Sequence, residues 1–144
     1  MKRTIAAAVL LAAGCATVRP PEYGVDAPNG TPIDAAEYNR LIATQGMAHY
    51  CAGQRCDSLP KLIEGVAPVY PPMLQAGGIA GQATVDFTID ERGAATDFEV
   101  ESATAPEFAA AAVDALKRWR FQPAMKQGRP VPIRSRQKFP FELQ

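Results

Sequence analysis

Four residues near the middle of the chain are of types that do chemistry: His49, Cys51, Cys56 and Asp57. Imidazole, thiolate and carboxylate are zinc ligands, and a thiol beside an imidazole is the arrangement of a cysteine nucleophile. Either use needs more than this stretch supplies. Zinc sites usually recruit a second ligand pair, yet His49 is the single histidine and the third cysteine, Cys15, stands far upstream. No acid, base and nucleophile constellation is visible elsewhere, so the residues point away from an enzyme and give no ligand set for a metal or cofactor and no small-molecule substrate site.

Cys15 closes a different pattern. Met1 to Arg3 give a positive start, residues 4–13 an apolar run, and Ala12-Ala13-Gly14-Cys15 a small-residue exit. The run is about half of the roughly 20 residues that a helix needs to cross a bilayer, so residues 1–14 read as a removable signal peptide rather than a retained span. Leu10-Leu11 followed by Gly14-Cys15 resembles the lipobox of bacterial lipoproteins, with Ala12 where that motif prefers leucine. The resemblance implies that Cys15 becomes a lipidated first residue, anchored by several acyl chains. Ala16 rather than aspartate after it implies the outer membrane. A plain secretory cleavage is the alternative. With Cys15 lipidated, Cys51 and Cys56 remain as an even pair in an oxidising compartment, and a short-loop disulfide between them is the plainer use of both.

At 144 residues, with 47% apolar and 21% charged side chains, the chain has material for one modest globular domain plus a leader and tether. Two of its fifteen basic residues lie in the leader, leaving thirteen against fifteen acidic and a mature net charge near −2. Nucleic-acid binding, which needs clustered positive charge, is not expected. Residues 15–60 are assigned to a tether. Pro20, Pro21, Gly24, Pro28 and Gly30 fall in a stretch without apolar period. A short helix is then expected, with Thr31-Pro32 as its start, Asp34 and Glu37 in its first turns, Tyr38, Leu41 and Ile42 on its apolar face, and Gly46 at its end.

Residues 61–144 are assigned to the domain proper. Ala83, Val85, Phe87 and Ile89 alternate with Thr84, Asp86, Thr88 and Asp90, which predicts a half-buried strand. Asp90-Glu91-Arg92-Gly93 supplies a turn, and residues 96–102 predict a second strand with Phe98 and Val100 inward. Phe108, Ala112, Ala115, Leu116 and Trp119 recur at helical spacing after Pro106. Beyond Gly128 one parity carries Val131, Ile133, Phe139, Phe141 and Leu143, and the other carries Arg134, Arg136 and Lys138. The expected fold is α+β: a three-stranded antiparallel sheet of order 2-1-3 under one main helix, plus a short helix after Tyr70-Pro71.

The third strand would then be an edge. Pro132 and Pro140 fit one, because neither can donate to a ladder. Arg134, Ser135, Arg136, Gln137 and Lys138 between them are the candidate partner-binding residues, through backbone groups that an incoming strand can pair with. The competing reading is that prolines and cations merely protect an edge. Residues 81–116 hold eight acidic and one basic residue, and residues 117–144 the reverse, so part of the basic row is expected to neutralise acidic neighbours across the sheet.

Pro68-Val69-Tyr70-Pro71, Gly78-Ile79-Ala80-Gly81, Val85-Asp86-Phe87-Thr88-Ile89 and Arg118-Trp119-Arg120-Phe121-Gln122-Pro123-Ala124, followed by Gly128 and Pro130, together resemble the TonB C-terminal domain family over about residues 66–143. Tyr70, Pro71, Gly81, Trp119, Phe121 and Pro123 are its motif positions here, and are expected to define the fold. The resemblance implies a periplasmic module that takes a short segment of an outer-membrane receptor onto its sheet edge, which by position falls on residues 134–138. TonB itself retains a membrane helix and a long proline-rich span, whereas this chain carries the leader, lipobox-like cysteine and shorter tether described above. The expected function is therefore a lipid-anchored docking protein of outer-membrane transport. A structural or assembly lipoprotein that binds another envelope component is the alternative.

Overall fold

The computed structural model describes residues 30–44, 50–51 and 54–144. The leader, Cys15, most of the tether, Gly46 and His49 lie outside the described residues. The chain forms helix α1 (Ala35–Thr44), strands β1 (Tyr50–Cys51), β2 (Gln54–Arg55) and β3 (Lys61–Glu64), and helix α2 (Pro72–Ala76). Strands β4 (Gly81–Ile89) and β5 (Ala95–Ala103), helix α3 (Pro106–Leu116), and strands β6 (Arg120–Gln122), β7 (Ala124–Lys126), β8 (Arg129–Val131) and β9 (Ile133–Phe141) follow.

The principal sheet is antiparallel with order β5-β4-β9, the expected 2-1-3 arrangement. Alternation on β4 works as read: Ala83, Val85, Phe87 and Ile89 are buried against Phe108, Ala112 and Leu116 of α3 and against Ile133, Phe139 and Phe141 of β9. Asp90 builds the β4–β5 turn, its carboxylate accepting from the N–H groups of Arg92 and Ala94. Gly93 completes it at a φ of 81°, where a β-carbon would lie 1.8 Å from the carbonyl oxygen of Phe121.

Several sequence expectations are corrected. Val100 pairs opposite the buried Val85 and so shares the inner face, yet on the outer strand of the sheet it is 45% exposed rather than buried. Two register shifts break the β4–β5 ladder, between Thr84 and Val85 and between Asp86 and Thr88, and Asp97 adopts a φ of 51°. Each extra residue reverses the facing of those beyond it, so simple alternation fails on β5 while Phe98 stays packed on the core. Trp119 lies beyond the end of α3 at Leu116 and turns the chain into β6, which pairs with β3. The expected single strand from Val131 onward is divided at Pro132: β8 folds back on β7 through Gln127 and Gly128, both at positive φ, and β9 starts at Ile133. Such a two-residue turn matches the twist of its flanking strands.

The first helix starts later than Thr31-Pro32 suggested. Thr31 and Pro32 instead run beside the chain at Val66 and Ala67, with the Ala67 N–H donating to the Thr31 carbonyl. Asp34 caps α1, its carboxylate accepting from the N–H groups of Ala36 and Glu37 at 2.9 and 3.1 Å. Tyr38 of α1 is buried in the same core, edge-on to Trp119. Asn39 binds β3 as a strand would: its amide donates to the Leu62 carbonyl at 2.9 Å, and its oxygen accepts from the Leu62 N–H at 2.8 Å.

Candidate functional site

The motif residues hold the frame. Tyr70 packs edge-on against Phe108 and Phe141 and donates its hydroxyl to the Ile79 carbonyl at 2.6 Å. Pro71 caps α2, and Pro72 occupies its first turn. Gly81 faces Phe108 and Thr104 so closely that a β-carbon would lie 2.6 Å from the phenyl ring. Trp119 is fully buried and donates its indole N–H to the Val66 carbonyl at 2.9 Å, tying the end of α3 to the segment before Tyr70. Phe121 packs on Trp119 and Phe87, and Pro123 separates β6 from β7.

On this frame β9 pairs with β4 in unbroken register over nine positions, from Ile89 opposite Ile133 to Gly81 opposite Phe141. The direction of its backbone groups follows from one local contact. Gln82 directs both its N–H and its carbonyl to Thr104, on the β5 side, at 2.9 Å each. Gln82 and its partner Pro140 are therefore a non-hydrogen-bonded pair of the β4–β9 ladder, and antiparallel pairs alternate. Thr84 with Lys138, Asp86 with Arg136, and Thr88 with Arg134 share that character, so the peptide groups of Arg134, Arg136 and Lys138 face away from β4. Proline at position 140 is compatible with this because no ladder donor is needed there.

The same pairing explains the side chains. Residues of a non-hydrogen-bonded pair lie closest together. Arg136 grips Asp86 with both ends of its guanidinium, Nε to Oδ1 at 2.6 Å and the terminal nitrogen to Oδ2 at 3.0 Å. The hydrogen bond from Arg136 holds the Asp86 carboxyl below its ordinary range, against the opposing effect of burial. Arg134 reaches Thr88, the Asp97 carbonyl and Glu99 on β4 and β5. Both arginines neutralise acidic neighbours on the outer sheet face, as charge partition had indicated.

Ser135 and Gln137 lie on the other face of β9. Gln137 is fully buried, accepting from the Tyr38 hydroxyl at 2.8 Å and donating its amide to the Lys138 carbonyl at 2.9 Å. Its side chain is thus a core group joining α1 to β9. The signal was readable, since Gln137 is a large polar residue on the parity otherwise filled by Ile133, Phe139 and Phe141. Its partner Tyr38 is 99 residues away and was not readable. Among the described strands only β4 pairs with β9, while Tyr50–Cys51 runs close to it.

The cysteine cluster is only partly described. Cys51 pairs through its backbone opposite Gln54, its side chain lying outside the described residues, and Cys56 is partly buried against the core. Asp57 accepts from the Gln127 N–H and thereby braces the β7–β8 turn.

Comparison with known proteins agrees with this frame. The model of the family described as Gram-negative bacterial TonB protein C-terminal matches residues 66–143. Protein TonB of Pseudomonas aeruginosa is 35% identical over 102 residues, which are 70% of this chain and 30% of that protein. The solution NMR structure of the Pseudomonas aeruginosa TonB C-terminal domain superposes with a TM-score of 0.55 at 34% identity, covering 61% of this chain and 90% of that one. On these matches and on the sheet, helix and motif contacts above, the chain belongs to the TonB C-terminal domain family.

Proposed function

We propose that this protein is a lipid-anchored, TonB-like docking module on the periplasmic side of the envelope, which takes the N-terminal segment of an outer-membrane transport receptor onto β9 by strand addition. Family membership supports a place in the cell envelope and in TonB-dependent transport. The lipobox-like sequence ending at Cys15 supports the anchor, with the outer membrane as its site. A Cys51–Cys56 disulfide is part of the proposal. It is supported by the β1–β2 pairing, which returns the chain so that Cys56 follows two residues after the partner of Cys51.

The observation that carries the docking reading is the contrast between the two sheet edges. β5 is interrupted by two bulges and bears Asp97, Glu99 and Glu101, features that discourage pairing. β9 is regular along its length and turns the peptide groups of Arg134 and Arg136 away from the sheet. Main-chain hydrogen bonds at such an edge supply affinity, and neighbouring side chains supply choice.

Arg136→Pro is the test. It removes an outward N–H without touching the ladder to β4, so capture of receptor segments from solubilised envelope should be lost while the fold persists. Undiminished capture by a folded Arg136→Pro protein would exclude β9 as the interface. The alternative, a structural or assembly lipoprotein using the same fold, is separated by crosslinking from position 136. A receptor N-terminal segment supports docking in transport, and a barrel-assembly or cell-wall protein supports the alternative.

A further inference from the structure

We propose that α1 and β1 form an internal cover for the β9 edge, held by a hydrogen-bond relay and displaced when a partner strand arrives. This rests on the strand-addition reading of β9, and it assigns that site its own built-in competitor. The relay runs from Tyr38 through Gln137 to Lys138. The Tyr38 hydroxyl donates to Gln137 Oε1, and Gln137 Nε2 donates to the Lys138 carbonyl. That carbonyl belongs to the set facing away from β4, so it is one of the acceptors that an incoming strand would address. Helix α1 therefore fixes the orientation of a buried amide that already serves the edge.

A further feature places the cover at this flank. Tyr50–Cys51 runs close to β9. The far side of α1 is fastened by the paired hydrogen bonds between Asn39 and Leu62 on β3. α1 is thus joined to β3 at one end of its attachment and to the edge strand at the other, with Tyr38 packed on Trp119 between them. A partner pairing along β9 gains main-chain hydrogen bonds but must release part of this layer. Its apparent affinity is then the intrinsic affinity multiplied by the fraction of molecules in which the edge is uncovered. Loosening the cover raises that fraction without altering the edge itself.

Asn39→Ala is the discriminating variant, because it removes the fastening to β3 and leaves β9 unchanged. Full-length wild-type and variant proteins are titrated with synthetic peptides carrying the periplasmic N-terminal segments of the outer-membrane receptors in the same envelope. Amide exchange of β4 and β9 is recorded in parallel. The expected result is a gain in peptide affinity of about threefold to tenfold, the range corresponding to loss of one or two net hydrogen bonds. Exchange at the Arg136 and Lys138 amides should quicken while β4 protection is retained. Equal affinities with β4 intact overturn the cover. If no peptide binds either protein, the docking reading fails and exchange decides alone: faster β9 exchange upholds the cover, and unchanged exchange overturns it. Should Asn39→Ala lose β4 protection, Tyr38→Phe breaks the relay with the ring still packed, and the same readings apply.

Discussion

Arg136 and Asp86 show how one cross-strand pair serves charge balance and register together. Asp86 has its carboxyl held below 3.8, first by the hydrogen bond from Arg136. A carboxyl depressed in the folded state contributes stability that is present above the unfolded value and is lost as pH falls through the folded one. Asp86→Asn should therefore lower stability at neutral pH, by no more than about 1 kcal/mol because Arg136 is half-exposed. The gap to wild type should close below the folded value. Denaturant unfolding at neutral and strongly acidic pH measures this, and an equal gap at both rejects the assignment. The pair between Tyr38 and Gln137 is buried and uncharged, so it behaves differently. Gln137→Leu removes the buried acceptor of the Tyr38 hydroxyl and should cost about 1–3 kcal/mol, whereas the double change Tyr38→Phe with Gln137→Leu should recover much of that loss. A double-mutant cycle checks it, and additive losses would contradict the contact.

Elements fix what single residues cannot. The β4–β5 hairpin sits against β6 because Gly93 lets its turn approach backbone: the Phe121 N–H donates to the Gly93 carbonyl at 2.8 Å. At a φ of 81°, and with no room for a β-carbon, Gly93→Ala should cost at least about 2 kcal/mol in thermal or denaturant unfolding, where an exposed substitution stays within about 0.5 kcal/mol. Trp119 performs the corresponding task for α3 and the segment before Tyr70. Trp119→Phe removes the indole N–H from the Val66 carbonyl and leaves a void in the core, so a loss of about 2–4 kcal/mol is expected from the same measurements. Gly93 makes its close contact with Phe121 on β6, so binding by the folded fraction of Gly93→Ala should be unaltered.

At the scale of the whole molecule, the proposed anchor and the proposed edge lie at opposite ends of the chain. Cys15→Ala should move the protein from the membrane fraction to the soluble periplasm on fractionation, with strand capture in solution unchanged. Persistence of Cys15→Ala in the membrane fraction would remove lipid as the tether. Between the two ends lies the α1 layer, which shares its core with the sheet through Ile33 and Tyr38.

The strands and the main helix were legible in sequence because they depend on local periodicity, and the sheet order followed from how short connections return. A strand with one buried face must alternate, as Ala83 to Ile89 do, and a helix on that sheet must repeat its apolar face, as Phe108, Ala112 and Leu116 do. The aromatic and proline positions added a family pattern that the matches to TonB now carry. Tertiary structure decided the rest. Bulges in β5 break alternation through backbone geometry that no side-chain pattern marks, so Ala95 and Phe98, of opposite parity, both meet the core. Asp34 rather than Thr31 caps α1 because Thr31 and Pro32 are drawn beside Val66 and Ala67. Above all, the buried bond from Tyr38 to Gln137 spans nearly the whole domain, and only folding brings a polar residue of the last strand to the hydroxyl of the first helix.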